Sequence, residues 1–123
     1  MATRTQNDLV RMVLTDVLGR YSESDPIPAD DSKSVKKIYA DVLEILRDDG
    51  LAYWDLSAIP GVAVRHVVDI VAYRAAPGYG VPLTSLTEVT SGITLTLEQR
   101  GMRGLRKHLQ KTSAKEPVRA NYF

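Results

Sequence analysis

Apolar residues recur at helical spacing in four blocks along this chain, separated by breaks rich in proline and glycine. The longest block, IPGVAVRHVVDIVAYRAAPGYG over residues 59–80, organises the rest. Val64, Val67, Val68, Val71, Ala72 and Ala75 share one helical face. Pro60 suits the first helical turn, where its missing N–H is not needed, and Pro77 with Gly78 and Gly80 stops the helix. Arg65, Asp69 and Arg74 fall largely off the apolar face, so the block reads as a core helix without a catalytic signature.

Upstream, Leu9, Val10, Val13, Leu14, Val17 and Leu18 form a stripe over residues 6–18. Thr5 is placed as N-cap with Asp8 completing a capping box, and Gly19 closes the helix. Residues 20–31 contain Ser22, Ser24, Pro26, Pro28 and four acidic residues, and read as an exposed loop. Asp30 and Asp31 lack the alternating oxygen ligands and glycine turn of a calcium loop, so they suit helix capping or solvation. A second helix is predicted over residues 32–50. Val35, Ile38, Tyr39, Val42, Ile45 and Leu46 lie on its apolar face, and Lys36, Lys37, Asp41, Glu44, Arg47 and Asp48 on its wet face. Tyr53 and Trp54, in the connection that follows, are expected to plug the end of the helical core; an exposed Trp54 would instead mark an intersubunit contact.

Two periods compete downstream. Leu83, Leu86, Thr90, Ile93, Leu97 and Leu105 fit a long helix in which Gly101 and Gly104 admit another backbone, whereas residues 92–97 alternate like a strand. The reading adopted is helix over 95–111 with a break near Gly92, because a solitary strand would have no partner. Residues 112–123 contain Pro117 and lack helical periodicity. They are expected to be extended, either as a mobile end or as an arm docking on another subunit through Val118, Tyr122 and Phe123. The expected fold class is all-α: a small bundle of about four helices over residues 1–111, with an extended C-terminal docking arm over 112–123.

A length of 123 residues, 44% hydrophobic and 25% charged, fits one soluble globular domain. The absence of cysteine excludes a disulfide framework and thiolate metal sites and fits an intracellular or virion protein. The opening MATRTQND carries no apolar signal segment, and no run reaches the roughly 18 apolar residues of a membrane span. Charge is more informative than composition. Residues 1–60 hold 7 Lys and Arg against 11 Asp and Glu, a net −4, while residues 61–123 hold 9 against 4, a net +5. An acidic half joined to a basic half favours head-to-tail association between copies, although two solvated faces of different sign give the same count.

The opening TQNDLVRMVLTDVLG and the ending AYRAAPGYG of the proline-started helix together resemble the small helical head-to-tail connector proteins of tailed bacteriophages, also called head-completion or adaptor proteins. The resemblance covers most of the chain; the threonine-rich stretch 84–96 departs from the family pattern. It implies a homo-oligomeric ring, a dodecamer, bound beneath the portal protein at the neck of the virion and assembled in the bacterial host cytoplasm. The ring would extend the channel for packaged double-stranded DNA, help retain the genome and present a surface to the tail or a second connector protein. Such work needs surfaces, not chemistry: no catalytic residue, metal, cofactor or membrane is implied. The expected intersubunit or portal contacts are Arg100, Arg103, Arg106, Lys107, Lys111, Val118, Arg119, Tyr122 and Phe123.

The residues themselves offer little for catalysis. His66 and Asp69 are three positions apart on the central helix without a nucleophile or third ligand, a pair that reads as structural; His108 sits among Arg106, Lys107 and Lys111 at a solvated helix end. Gly78 and Gly80 follow no strand, so no nucleotide fingerprint is supported. The competing reading from another class is a helical DNA-binding regulator. Arg100, Arg103, Arg106, Lys107, Lys111, Lys115 and Arg119, opposed after residue 100 only by Glu116, form a basic stripe suited to phosphate contacts. Against that reading, no helix-turn-helix with a short glycine turn and polar recognition helix is evident.

Overall fold

The computed structural model describes residues 3–22, 24–90 and 92–115. Its fold class is the expected one, a small all-α bundle. The first helix begins as α1, Gln6–Arg11, and continues as a π-helical segment, Met12–Val17. Three further helices follow: α2 (Ala29–Asp48), α3 (Gly61–Ala75) and α4 (Leu97–Lys115). Two short antiparallel pairs decorate the bundle. Thr3–Arg4 (β1) pairs with Ile59–Pro60 (β2), tying the start of the chain to the entrance of α3. Thr87–Thr90 (β3) pairs with Ile93–Thr96 (β4) as a hairpin.

Local chemistry accounts for each boundary. The Thr5 hydroxyl accepts from the Asp8 N–H while the Asp8 carboxylate accepts from the Thr5 N–H, the reciprocal box read from the sequence. Helix α2 starts three residues before the expected Ser32, because Pro28 serves as N-cap with extended backbone and Asp30 and Asp31 occupy the first turn, where the helix dipole favours them. Asp31 also accepts from the hydroxyls of Tyr21 and Tyr79, so its role is to hold the preceding loop and the end of α3 together. Pro60 likewise sits one place outside α3 as N-cap. After Ala75 the chain tightens into a 3₁₀ turn, Ala76–Tyr79, and Gly80 adopts the left-handed conformation (φ 74°) that ends it.

The stretch read as a break before the last helix is the hairpin. The partner that seemed missing for residues 93–96 is the threonine-rich run immediately upstream, with Thr87 opposite Thr96 and Thr90 opposite Ile93. Gly92, at φ 78°, supplies the positive dihedral that a two-residue connection demands. Helix α4 therefore begins at Leu97 and not at Leu95. A second capping box fixes it there: the Thr96 hydroxyl accepts from the Gln99 N–H, and the Gln99 side chain accepts from the Thr96 N–H. At the other end α4 runs on through Lys115, past the boundary at 111, so residues 112–115 are helical and not extended. The rest of the expected arm, 116–123, lies outside the described residues.

Helix α3 is central. Ala63, Val64, Val67, Val68, Ile70, Val71, Ala72 and Ala75 are all buried, a helix apolar on nearly every side. The first helix, α2 and α4 each pack against it, α4 most extensively. Trp54 is buried, as expected, and closes one end of the core: its indole N–H donates to the Tyr39 hydroxyl (3.3 Å), which donates to the Leu56 carbonyl (3.0 Å). Tyr53 does not share that role. It is 61% exposed and reaches His108 on α4 instead, with its hydroxyl 3.2 Å from Nε2.

Candidate functional site

Helix α4 packs closely along α3, and glycine makes that approach possible. A Cβ at Gly101 would lie 2.5 Å from the His66 carbonyl oxygen and 2.8 Å from Ile70 Cγ1; one at Gly104 would lie 2.2 Å from His66 Nδ1. The spacing of three puts both glycines on the face of α4 turned to α3, so the backbones meet where side chains would otherwise intervene. This is the close approach expected of the two glycines.

Asp69 lies at this seam. Contrary to the expectation that it falls off the apolar face, it is 2% exposed. Its Oδ2 accepts from Arg100 Nη2 at 3.2 Å, and Arg65 Nε stands 3.9 Å from Oδ1 on the same helix. Oδ1 itself has no hydrogen-bond partner within the protein. Burial pushes the Asp69 carboxyl above its ordinary value, against the pull of the Arg100 and Arg65 guanidinium groups. Asp69 and His66 are neighbours on the same turn, as foreseen, but the partner that gives Asp69 its role is Arg100 on α4.

His66 is half-buried against Gly104, and burial lowers its pKa although the Asp69 charge pulls the other way. A histidine whose folded pKa lies below the unfolded value favours the folded state when neutral, so its contribution declines as pH falls below about 6.5. Asp69, with a raised pKa, acts in the opposite sense: its contribution is present at low pH and is lost as pH rises through the raised value. The two are separated by comparing wild type with His66→Gln in urea titrations. Between pH 7.5 and 5.5 the stability difference is expected to move against the wild type, and a difference independent of pH would contradict the assignment.

The same seam opens outward into a cleft lined by Arg65, His66, Asp69, Leu95, Arg100, Arg103, Gly104 and Lys107. Four guanidinium or ammonium groups face one carboxylate there. Arg100 is engaged with Asp69, whereas Arg103 and Lys107 are exposed and have no acidic partner among the described residues.

The expected contact residues therefore divide. Arg100 is half-exposed but tied to α3; Arg103 and Lys107 border the cleft; Arg106 is exposed and lies about 120° around α4 from Arg100 and about 60° from Arg103. The cations of α4 from Arg100 to Lys111 thus spread over a broad sector of about 140°, with Arg106 at its edge. Lys111 lies in α4, its side chain outside the described residues, as are Val118, Arg119, Tyr122 and Phe123 entirely. Sequence reasoning overlooked Arg65 and Asp69 as members of this cluster. The available signal was Asp69 itself, the one carboxylate inside an otherwise apolar run.

A further exposed feature is the hairpin, with Val89 71% and Ile93 56% exposed on opposite faces. Among the described residues, no three His, Asp or Glu side chains converge as metal ligands, and no helix is long and apolar enough to cross a membrane. No family model, curated protein or solved structure matches the chain.

Proposed function

We propose that this chain is a structural, non-enzymatic head-to-tail connector of a tailed bacteriophage, a ring component beneath the portal at the virion neck. In this reading twelve copies close a ring, bind the portal on one side and the tail or a second connector on the other, and line the passage of packaged double-stranded DNA. The observation that carries it is the disposition of charge. Helices α2 and α4 each pack on α3, and the exposed cations Arg103, Arg106 and Lys107 of α4 have no acidic partner within the described fold. A heterologous ring needs two different complementary surfaces on every copy, and unmatched cations at one side of a chain with an acidic first half meet that requirement. The internal polar groups, Asp69 with Arg100 and Asp31 with its tyrosines, are occupied in holding elements together.

The experiment is assembly. Purified protein mixed with a portal is expected to form rings, and Arg103→Glu with Arg106→Glu weakens that association at least tenfold while leaving the helical circular dichroism signal intact. Unchanged assembly would remove the charge argument. One observation favours a second reading: Arg65 from α3 joins Arg103 and Lys107 around a single cleft, a geometry that also suits nucleic-acid phosphates. Tight, salt-sensitive retardation of short duplex DNA by the isolated protein would favour a DNA-binding regulator over the connector.

A further inference from the structure

The wet face of α2 carries Asp41, Glu44 and Asp48, all exposed and spaced i, i+3, i+7. Rotation of about 100° per residue puts the three within a sector of about 60°. Ile45 lies beside them, an apolar side chain 41% exposed on an otherwise charged surface. On α4, Arg103 and Lys107 stand one turn apart on an exposed face, and Arg65 of α3, about half exposed and 3.9 Å from both Asp16 and Asp69, adds a third cation across the cleft. Leu95, His66 and Gly104 also line the cleft, an open groove of about 500 Å³ that an aliphatic side chain can enter. One surface thus offers three carboxylates beside an apolar knob. The other offers three cations around a partly apolar recess.

We infer that the Asp41, Glu44 and Asp48 face of α2, with Ile45 at its edge, seats on the Arg65, Arg103 and Lys107 cleft of a second copy of this chain. The inference rests on the ring reading above and deepens it by naming the two contacting surfaces. Both cannot be satisfied within one molecule, because α2 and α4 pack principally on α3 and not on each other. The contact is heterologous: each copy uses its α2 face on one neighbour and its cleft on the other, so the pairing propagates until it closes. Complementary charge sets register and encounter rate, while desolvation of Ile45 in the recess supplies the apolar contribution. Arg100 takes no part, since it is hydrogen-bonded to Asp69 at 3.2 Å, whereas Arg65 stands 3.9 Å from both Asp16 and Asp69 and keeps about half of its side chain exposed to a second acidic partner.

The chain contains no cysteine, which makes the test clean. Full-length Ile45→Cys and Arg103→Cys proteins are mixed under mild oxidation and the products resolved on a non-reducing gel. Heterodimers are expected in several-fold excess over either homodimer at low salt. The excess should shrink in about 0.5 M salt, where screening shortens the reach of exposed charges below about 10 Å. Adding Arg65→Glu and Lys107→Glu to the Arg103→Cys protein should abolish it, and Asp41→Lys with Glu44→Lys and Asp48→Lys in the Ile45→Cys partner should restore it. Statistical mixtures of homo- and heterodimers, or an excess indifferent to charge reversal, would overturn the pairing. So would protection of the Arg103→Cys thiol by a short duplex DNA without any heterodimer, which would assign the cleft to a polyanion. The two readings part at the portal: rings formed normally by the cysteine-free charge-reversed chain, Arg65→Glu with Lys107→Glu, sink this pairing and leave the connector reading standing. Failure of the wild type both to self-associate and to bind a portal sinks both.

Discussion

Replacing Gly101 by valine is expected to lower the stability of the protein by at least about 3 kcal/mol, or to detach α4 from the bundle altogether, as read by urea unfolding and by proteolysis of the α4 segment. Overpacking usually costs about 1–3 kcal/mol when side chains can yield. Here the first obstacle is a backbone carbonyl, 2.5 Å from the added Cβ, on the most completely buried helix of the fold. It has nowhere to go. Gly101→Ala meets the same oxygen but recovers about 1 kcal/mol of helix propensity, so its loss should be smaller. Gly104 is a softer case, since the obstructing atoms belong to the half-buried His66 ring. Gly78→Ala is the control: nothing lies within 4 Å of the added atom, and its effect should stay within about 0.5 kcal/mol. Equal effects at Gly78 and Gly101 would show that the α3–α4 seam is looser than described.

The second large effect is expected from Arg100→Met, a loss of about 2 kcal/mol. The guanidinium compensates a carboxylate that is 2% exposed, and its removal leaves that charge facing apolar neighbours. The loss is held below the range for a fully enclosed pair because Arg100 is itself half-exposed and Arg65, 3.9 Å from the other oxygen, can close in. The decisive measurement is the double variant. Asp69→Asn in the Arg100→Met background removes the uncompensated charge and should recover most of the stability, while Asp69→Asn alone should change it by less than about 1 kcal/mol. If the double variant is no better than Arg100→Met, the arginine acts through packing and not through its charge.

Where neighbouring residues determine structure, the sequence was readable. The Thr5 and Asp8 box, most of the apolar stripes of the first three helices and the burial of Trp54 follow from spacing within a few residues, while Ile45, placed in the second stripe, is 41% exposed and Leu43 is buried instead. The hairpin was misread through a global argument, that a helical chain offers a strand no partner, when the partner was the adjacent threonine run. A local signal pointed the right way: Thr96 and Gln99 have the spacing of a second capping box and mark Leu97 as the first helical residue. The site was harder to read. Arg65, Asp69 and Arg100 converge only because α4 folds back along α3, and glycine spacing tells that two backbones meet without telling which residues flank the meeting. Tyr53 was misplaced for a related reason, since only the return of α4 supplies His108 as its partner.

The first helix shows how a repeat can select its own winding. Leu9, Val13 and Val17 form one row and Val10, Leu14 and Leu18 another, each with a spacing of four. On a regular helix of 3.6 residues per turn, such rows slip about 40° sideways at every step and would carry their last members out of the interior. From Met12 to Val17 the backbone instead takes the wider π turn, and the Leu18 N–H reaches back to the Val13 carbonyl at 3.0 Å. The wider winding offsets the slip, so Leu18 remains buried with Leu9, and the π-helical part of the rows packs on α3. Here a tetrad repeat held over two steps accompanies local underwinding, in the only π-helical segment among the described residues.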